Sequence, residues 1–511
     1  MNSIKIMLAR GCLVSYYVSF FCTVKQRINI IFFLAMGCGI LTTYTEVSNL
    51  AGLHGLLVYT IIGSIPILGF SLLGPLIRRK CPNGFVLTNW TEHRFGYPAA
   101  LFLSFWTCVN MFLFMVSELS AVRIAIETLT GVNALAAIIV ECVVTSAYTS
   151  LGGFQVSFIT DNFQGGLVVL LVIICAAGMG SYIDIDTSKV GPSGLLKLNF
   201  LGWQLIYILF VALLTNDCLL AGFWLRTFSS RTNKDLFIGC SIASFVTFAI
   251  CTLVGTTGFL AVWSGDLKVG DDNGSNAFFI LLAKMPRWLL AFVIIFVVCL
   301  STCTFDSLQS AFVSTLASDL FRNKLRLIWI RGLVVLIIIP IIVLAIKVAD
   351  DVLQIYFICD MISSCIVPPL FLGLVDSCFW WIAGWDIIIG SLSGMLGVFV
   401  YGSIYYHSAK EGGKLMLLWN GLYTEDWGPF GAFVTAPVVS VLVTFIVAFI
   451  RILGIFTYSK VSGKPFTLLE KPEIATDAGF SEQGSISSFP HVIDRNDSTK
   501  KLQIEQEADT V

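Results

Sequence analysis

Residues 301–319 read S-T-C-T-F-D-S-L-Q-S-A-F-V-S-T-L-A-S-D and lie inside a long apolar segment that begins near Trp288. At helical spacing Ser301, Thr304, Ser307, Ser310, Ser314 and Ser318 form one stripe, each three or four residues after the last. A helix facing lipid has no use for such a stripe, so it must face other helices or a water-filled cavity. Serines and threonines in membrane helices also pack against neighbours or bond back to the preceding turn, and the stripe alone does not separate these roles. Ser301 and Thr302 are nevertheless adjacent hard oxygens, a donor type that suits a small hard cation such as sodium.

Beyond this stretch the chain is apolar throughout. It has 511 residues, of which 57% are hydrophobic and only 12% charged, with a mean hydropathy of +0.87. That composition belongs to a polytopic all-α membrane protein. A net charge of −1 gives no reason to expect nucleic acid. The four histidines, His54, His93, His407 and His491, match no metal spacing. The fifteen cysteines lie in apolar segments or in loops placed in the cytoplasm, which argues against an extracellular disulfide framework. No P-loop, dinucleotide fingerprint or nucleophile elbow is present, so no enzyme is expected and energy coupling must come from an ion gradient.

Residues 1–26 hold a short apolar run, Gly11 to Cys22, interrupted upstream by Arg10, and read as a degenerate extra helix. Twelve spans follow, at about 28–51, 56–77, 97–124, 132–149, 164–183, 202–225, 236–263, 288–314, 332–347, 352–375, 380–405 and 430–454. Residues 456–511 are polar and read as a disordered cytoplasmic tail, with Ser481 to Ser488 as a possible phosphorylation cluster. The loops after the second, sixth and eighth spans are short and rich in Lys and Arg, which puts the start of the first span and the tail in the cytoplasm. The loop 265–287 then falls outside, and it carries the glycosylation sequon Asn273-Gly274-Ser275.

Five spans (27–184), five more (185–376) and two accessory spans (377–455) make a distinctive order. An odd-numbered repeat inserts upside down relative to its copy, which is the inverted-repeat logic of many secondary transporters. Such a fold breaks the first helix of each half. Gly37-Cys38-Gly39-Ile40-Leu41-Thr42-Thr43-Tyr44-Thr45-Glu46 and Leu214-Thr215-Asn216-Asp217-Cys218 are polar interruptions at corresponding positions.

Three motifs give the chain a family likeness over roughly residues 30–450. They are Tyr148-Thr149-Ser150-Leu151-Gly152-Gly153 followed by Thr160-Asp161-Asn162-Phe163-Gln164, then Arg226-Thr227-Phe228-Ser229-Ser230-Arg231, and the Ser301-Thr302 pair with Asp319. In order and spacing they resemble the sodium:solute symporter family. Arg79-Lys80-Cys81-Pro82-Asn83 and Gly222-Phe223-Trp224-Leu225-Arg226 are similar to motifs of its fungal and plant urea active transporter branch, although Leu225 stands where that branch has glutamine. The resemblance implies a LeuT-type 5+5 inverted repeat with additional C-terminal helices. It also implies a sodium site built from Ser301, Thr302, the carbonyl of Val298 and carbonyls near Thr42 and Thr45. Asp161 matches an aspartate near the inner end of the family's ion path; read by itself it also fits an interfacial helix cap.

Other intramembrane acids are functional candidates by default. Asn216 and Asp217, in the expected break, and Glu46, in the first span, are candidate substrate ligands. Glu118 is placed near the outer end of the third span, and Glu141 and Asp306 have no evident partner. The reading is a secondary transporter of the plasma membrane that couples Na+ or H+ to symport of a small polar solute, with urea, a related amide or a polyamine foremost. A purely proton-coupled transporter and a non-transporting nutrient sensor on the same scaffold are the alternatives. Beyond the solute, the coupling cation and the bilayer, no cofactor and no obligate protein partner is expected.

Overall fold

The computed structural model describes residues 37–81, 86–230, 232–271, 273–322, 324–347, 351–419, 426–463, 465–466 and 468–469, and within 150–165 the backbone only. The degenerate helix in 1–26, the first part of the span at 28–51 and nearly all of the tail lie outside them. Among the described residues the regular structure is helical, with nine helices long and apolar enough to cross a membrane.

Helix α1 runs Ile40–Lys80 but is not straight. Gly52 sits at φ 59, ψ −153 and divides it into a short first arm, 40–51, and a second arm, 53–80. A Cβ at Gly52 would come within 2.1 Å of the Leu195 carbonyl oxygen, so only glycine fits. Leu53 N–H, released from the helix by this turn, donates to that same oxygen at 2.8 Å. The second arm, about 42 Å long, is enough for a span. Helices α2 (Leu87–Phe95) and α3 (Tyr97–Thr130) follow, then α4 (Leu135–Tyr182).

Helix α4 covers both expected spans 132–149 and 164–183. Its Tyr148 reaches Asp306 of α10 (Arg287–Thr315), while Cys175 and Met179 share a cavity with Phe296 of the same helix. Ten residues of α10 separate these contacts, about 15 Å, against about 40 Å for a straight rod from 148 to 175. The segment is therefore not one straight rod, and its two ends pack as two legs on α10.

After α5 (Thr187–Ser193), α6 (Phe200–Leu219) and α7 (Ala221–Ser229) form the second broken helix. The break is at Leu220, φ −74 and ψ 112, three residues past Asp217, so Asn216 and Asp217 sit in the last turn of α6. The indole N–H of Trp224 donates to the Cys218 carbonyl at 2.7 Å and satisfies an acceptor that the break exposes. Then come α8 (Asn233–Trp263), a 3-10 turn at Gly274–Asn276, α9 (Ala277–Ala283) and α10, which ends in a π-turn, Leu316–Leu320, that holds Asp319. Helices α11 (Leu327–Lys347) and α12 (Val352–Phe371) close the second half.

Past the short α13 (Asp376–Phe379), α14 (Gly384–Tyr405), α15 (Ala409–Met416) and α16 (Gly428–Ser462) make the accessory region. Helix α16 continues to Ser462, past the expected start of the tail. Gly390 and Gly394 press α14 against α16: their Cβ atoms would meet Thr444 and Ser440 at 1.9 and 2.8 Å, which explains the G-x-x-x-G spacing.

The basic loops gather at one end. Arg78 donates to Thr227 and Ser230, Arg94 and Lys80 pair with Asp376, and Arg322 meets Glu92 at 3.0 Å. At the opposite end Asn49 clasps the 264–276 loop. Its amide donates to the Lys268 carbonyl at 3.0 Å, and its Oδ1 accepts from the amides of Gly270 and Asp271 at 3.0 and 3.2 Å.

Candidate functional site

Between the two broken helices lies a cavity of about 110 Å3. Its walls come from the turn at Gly37 and the first arm (Ile40, Thr43, Tyr44), the second arm (Tyr59), α3 (Phe114, Glu118), the α6–α7 break (Asn216, Asp217, Leu220), Thr304 of α10, and Tyr356 and Asp360 of α12. Three carboxylates line it, and among the described residues no Lys, Arg or His does.

Glu118 organises the near wall. Helix α1 begins at Ile40 with no side-chain cap of its own, so the preceding amides are orphan donors. The Glu118 carboxylate accepts from Cys38 N–H at 2.7 Å, from the Gly39 amide, and from the Tyr356 hydroxyl at 3.1 Å. A residue eighty positions away thus caps the first arm, with its negative charge at the positive end of the helix dipole. Glu118 lies well inside α3, not at its outer end, because α3 continues to Thr130.

Asp217 and Asp360 face each other from α6 and α12. Asp360 is 1% exposed, interacts with the Asn216 side chain and leaves Oδ1 without a hydrogen-bond partner. Asn216 in turn accepts from Asn110 Nδ2 at 2.7 Å. Among the described residues no base pairs with either aspartate. Tyr44 and Tyr59 stack at 4.2 Å beside them. Two acids, a third across the cavity and stacked aromatic faces thus share one cavity.

Glu46 is half-buried on the neighbouring flank of the first arm and does not line the cavity. Ser301 is fully buried and Thr302 half-buried on α10, one turn after the half-buried Val298. Thr42 and Thr45 lie in regular helix, where the Thr42 carbonyl accepts from the Thr45 hydroxyl at 2.6 Å and the Thr45 carbonyl from Ser48 at 2.9 Å. The Thr45 oxygen faces α8, where a Cβ on Gly258 would sit 2.2 Å away. The non-helical turn lies earlier, at 37–39, and presents amides rather than carbonyls. The side chain of Asp161 lies outside the described residues. Asp306, without an evident partner in the sequence, accepts from Tyr148 at 2.6 Å and Ser307 at 3.2 Å, and Ser307 accepts from the buried Arg226 at 2.7 Å. Asn273 is exposed in the outer loop, beside Asp271.

No family model matches the chain. A spermidine transporter of Candida albicans is 68% identical over 439 residues, covering 86% of this chain and 84% of that protein. The chain belongs to the sodium:solute symporter family. It sits in the urea and polyamine branch of the family, and a stretch of 144 residues is 30% identical to a probable urea active transporter of Schizosaccharomyces pombe, over 28% of this chain and 21% of that one. A solved Na+-coupled sialic acid symporter superposes with a TM-score of 0.63 at 14% identity, over 83% of this chain and 88% of its own, which shows the LeuT-type fold. The protein is a multi-pass membrane transporter and not an enzyme.

Asp360 escaped the sequence reading although the rule that singled out Asp217, an acid at membrane depth, applies to it equally. Tyr59 and Tyr356 carried no such signal, since aromatics in apolar helices are usual. For this symporter family member the sequence motifs flank the cavity: Arg226 and Ser307 meet on one side of it, and the Tyr148 motif reaches α10 through Asp306.

Proposed function

We propose that the chain is a cation-coupled symporter of polyamines in the plasma membrane. The observation that carries this reading is the central cavity, where Asp217, Asp360 and Glu118 converge with no basic side chain among them. Buried acids without counter-charges repel and cost free energy, and a solute with several ammonium groups removes that cost. The amines of a polyamine, with pKa values near 10, are all charged at neutral pH. Tyr44 and Tyr59 offer ring faces to the ammonium groups and to the methylenes between them. A neutral amide such as urea would leave the carboxylates uncompensated. The spermidine name of the 68% identical relative supports the same choice.

The coupling cation binds at Ser301 and Thr302, with Val298 on the same helix, and Asp161 lies on its route inward. Occupancy there and in the cavity biases the first arm between positions that open to one side or the other. The test is uptake of labelled spermidine, putrescine and urea by cells that express the chain, with Asp217→Asn and Asp360→Asn. Removing one partner of a buried charge pair costs about 2–5 kcal/mol, so each substitution raises the KM for spermidine about thirtyfold or more. Unchanged KM values in both variants, or urea uptake with no polyamine uptake, refute the reading.

A further inference from the structure

Outside the cavity the bundle also buries Glu141. It lies in the second turn of α4 and is 5% exposed, and neither carboxylate oxygen has a hydrogen-bond partner. Across from it on α10, Ser301 is fully buried and its Oγ also lacks a partner. The carboxylate faces the hydroxyls of both Ser301 and Thr302, yet no hydrogen bond of ordinary geometry closes between Glu141 and Ser301. Three buried oxygens that face one another without bonding are a donor set that an ion can satisfy, and a protein rarely leaves such atoms unsatisfied.

The charges around this space make the point stronger. The groups that face Glu141 are the Glu118 carboxylate from α3 and the thiols of Cys38 from the turn before α1, of Cys142 on its own helix and of Cys299 on α10. Among the described residues no Lys, Arg or His reaches it. A bare carboxylate at this depth costs several kcal/mol, and a second carboxylate nearby raises that cost. A metal cation bound to it offsets that cost. The carboxylate oxygens with two hydroxyls form a hard all-oxygen set that suits Na+.

We propose that Glu141 is the anionic ligand of the coupling-cation site at Ser301 and Thr302. The inference deepens the symporter reading and rests on it for its meaning in transport. The consequence is a link to the substrate cavity. A cation on Glu141 lowers the repulsion on Glu118, and Glu118 holds the turn that walls the cavity. Loading the ion site thereby firms the first arm against α3.

The first experiment measures Na+ binding to the purified full chain in detergent for wild type, Glu141→Gln and Glu141→Asp. Glu141→Gln is expected to bind at least tenfold more weakly than wild type, and Glu141→Asp, which keeps the carboxylate, to bind more tightly than Glu141→Gln. Wild-type Na+ binding in Glu141→Gln, or no Na+ binding by wild type, overturns the proposal. The second experiment uses proteoliposomes with the membrane potential held at zero. Glu141→Gln, with a wild-type gel-filtration profile as the check on folding, is expected to lose spermidine accumulation driven by an inward Na+ gradient. Accumulation retained in Glu141→Gln overturns the proposal. Absence of spermidine counterflow in wild type instead refutes the polyamine reading and leaves the Na+ titration to decide on Glu141.

Discussion

Substituting Glu118 tests whether one distant carboxylate holds the unwound turn before α1. Glu118→Ala removes the acceptor of the Cys38 and Gly39 amides and of the Tyr356 hydroxyl. A hydrogen bond to a charged group contributes about 1.5–3 kcal/mol, so the two amides together lose about 3–6 kcal/mol. Water from the adjoining cavity replaces part of this, leaving about 2–3 kcal/mol. That is a shift of roughly 30- to 150-fold in the equilibrium between the closed turn and an opened one. Cys38 lies in the turn and is fully buried, so it reports the opening directly. Alkylation of the intact protein with N-ethylmaleimide, read for the Cys38 peptide by mass spectrometry, should be faster by that factor in Glu118→Ala. Glu118→Gln keeps one acceptor and should fall between Ala and wild type. Spermidine uptake should decline in the same order, since the turn walls the cavity. A Cys38 peptide alkylated at the wild-type rate in Glu118→Ala would refute the reasoning.

Three further outcomes follow from the same coordinates. Gly52→Ala puts a Cβ 2.1 Å from the Leu195 carbonyl on a residue with φ 59, so it should cost about 2 kcal/mol or more and lower the thermal midpoint by several degrees in differential scanning fluorimetry. Asn49→Ala removes three hydrogen bonds to the outer loop, and trypsin added outside should cut after Lys268 at least tenfold faster than in wild type. Asn273 is the proposed glycan acceptor of that loop; Asn273→Gln should abolish any mobility shift on treatment with peptide N-glycosidase, and an unchanged shift would place the glycan elsewhere.

What the sequence made legible depended on the range of the interaction. Apolar runs are local, and most span edges from 97 onward agree with the helices to within a few residues. The two breaks were visible because glycine and polar residues at membrane depth are local anomalies. Their exact positions were not. The first arm starts at Ile40 because Glu118 caps it from another helix, and α6 ends at Leu220 because Trp224 supplies a donor to Cys218. Neither partner lies where a local reading looks. The same holds around the proposed ion site: Ser301 and Thr302 announce themselves as a pair, whereas the hydrogen bonds that the Thr42 and Thr45 carbonyls accept within their own helix are not legible in the sequence. Glu141 stands in the sequence as an acid without a partner, and it gains a meaning only when α4 is laid against α10. In a bundle whose helices are apolar on most faces, the informative residues are those whose polarity no local partner explains, and Glu118, Glu141, Asp217 and Asp360 meet that description. Three of them line the cavity, and the fourth faces the hydroxyl pair. Their meeting at the cavity and at the hydroxyl pair is the arrangement on which the proposed polyamine and coupling-cation sites rest.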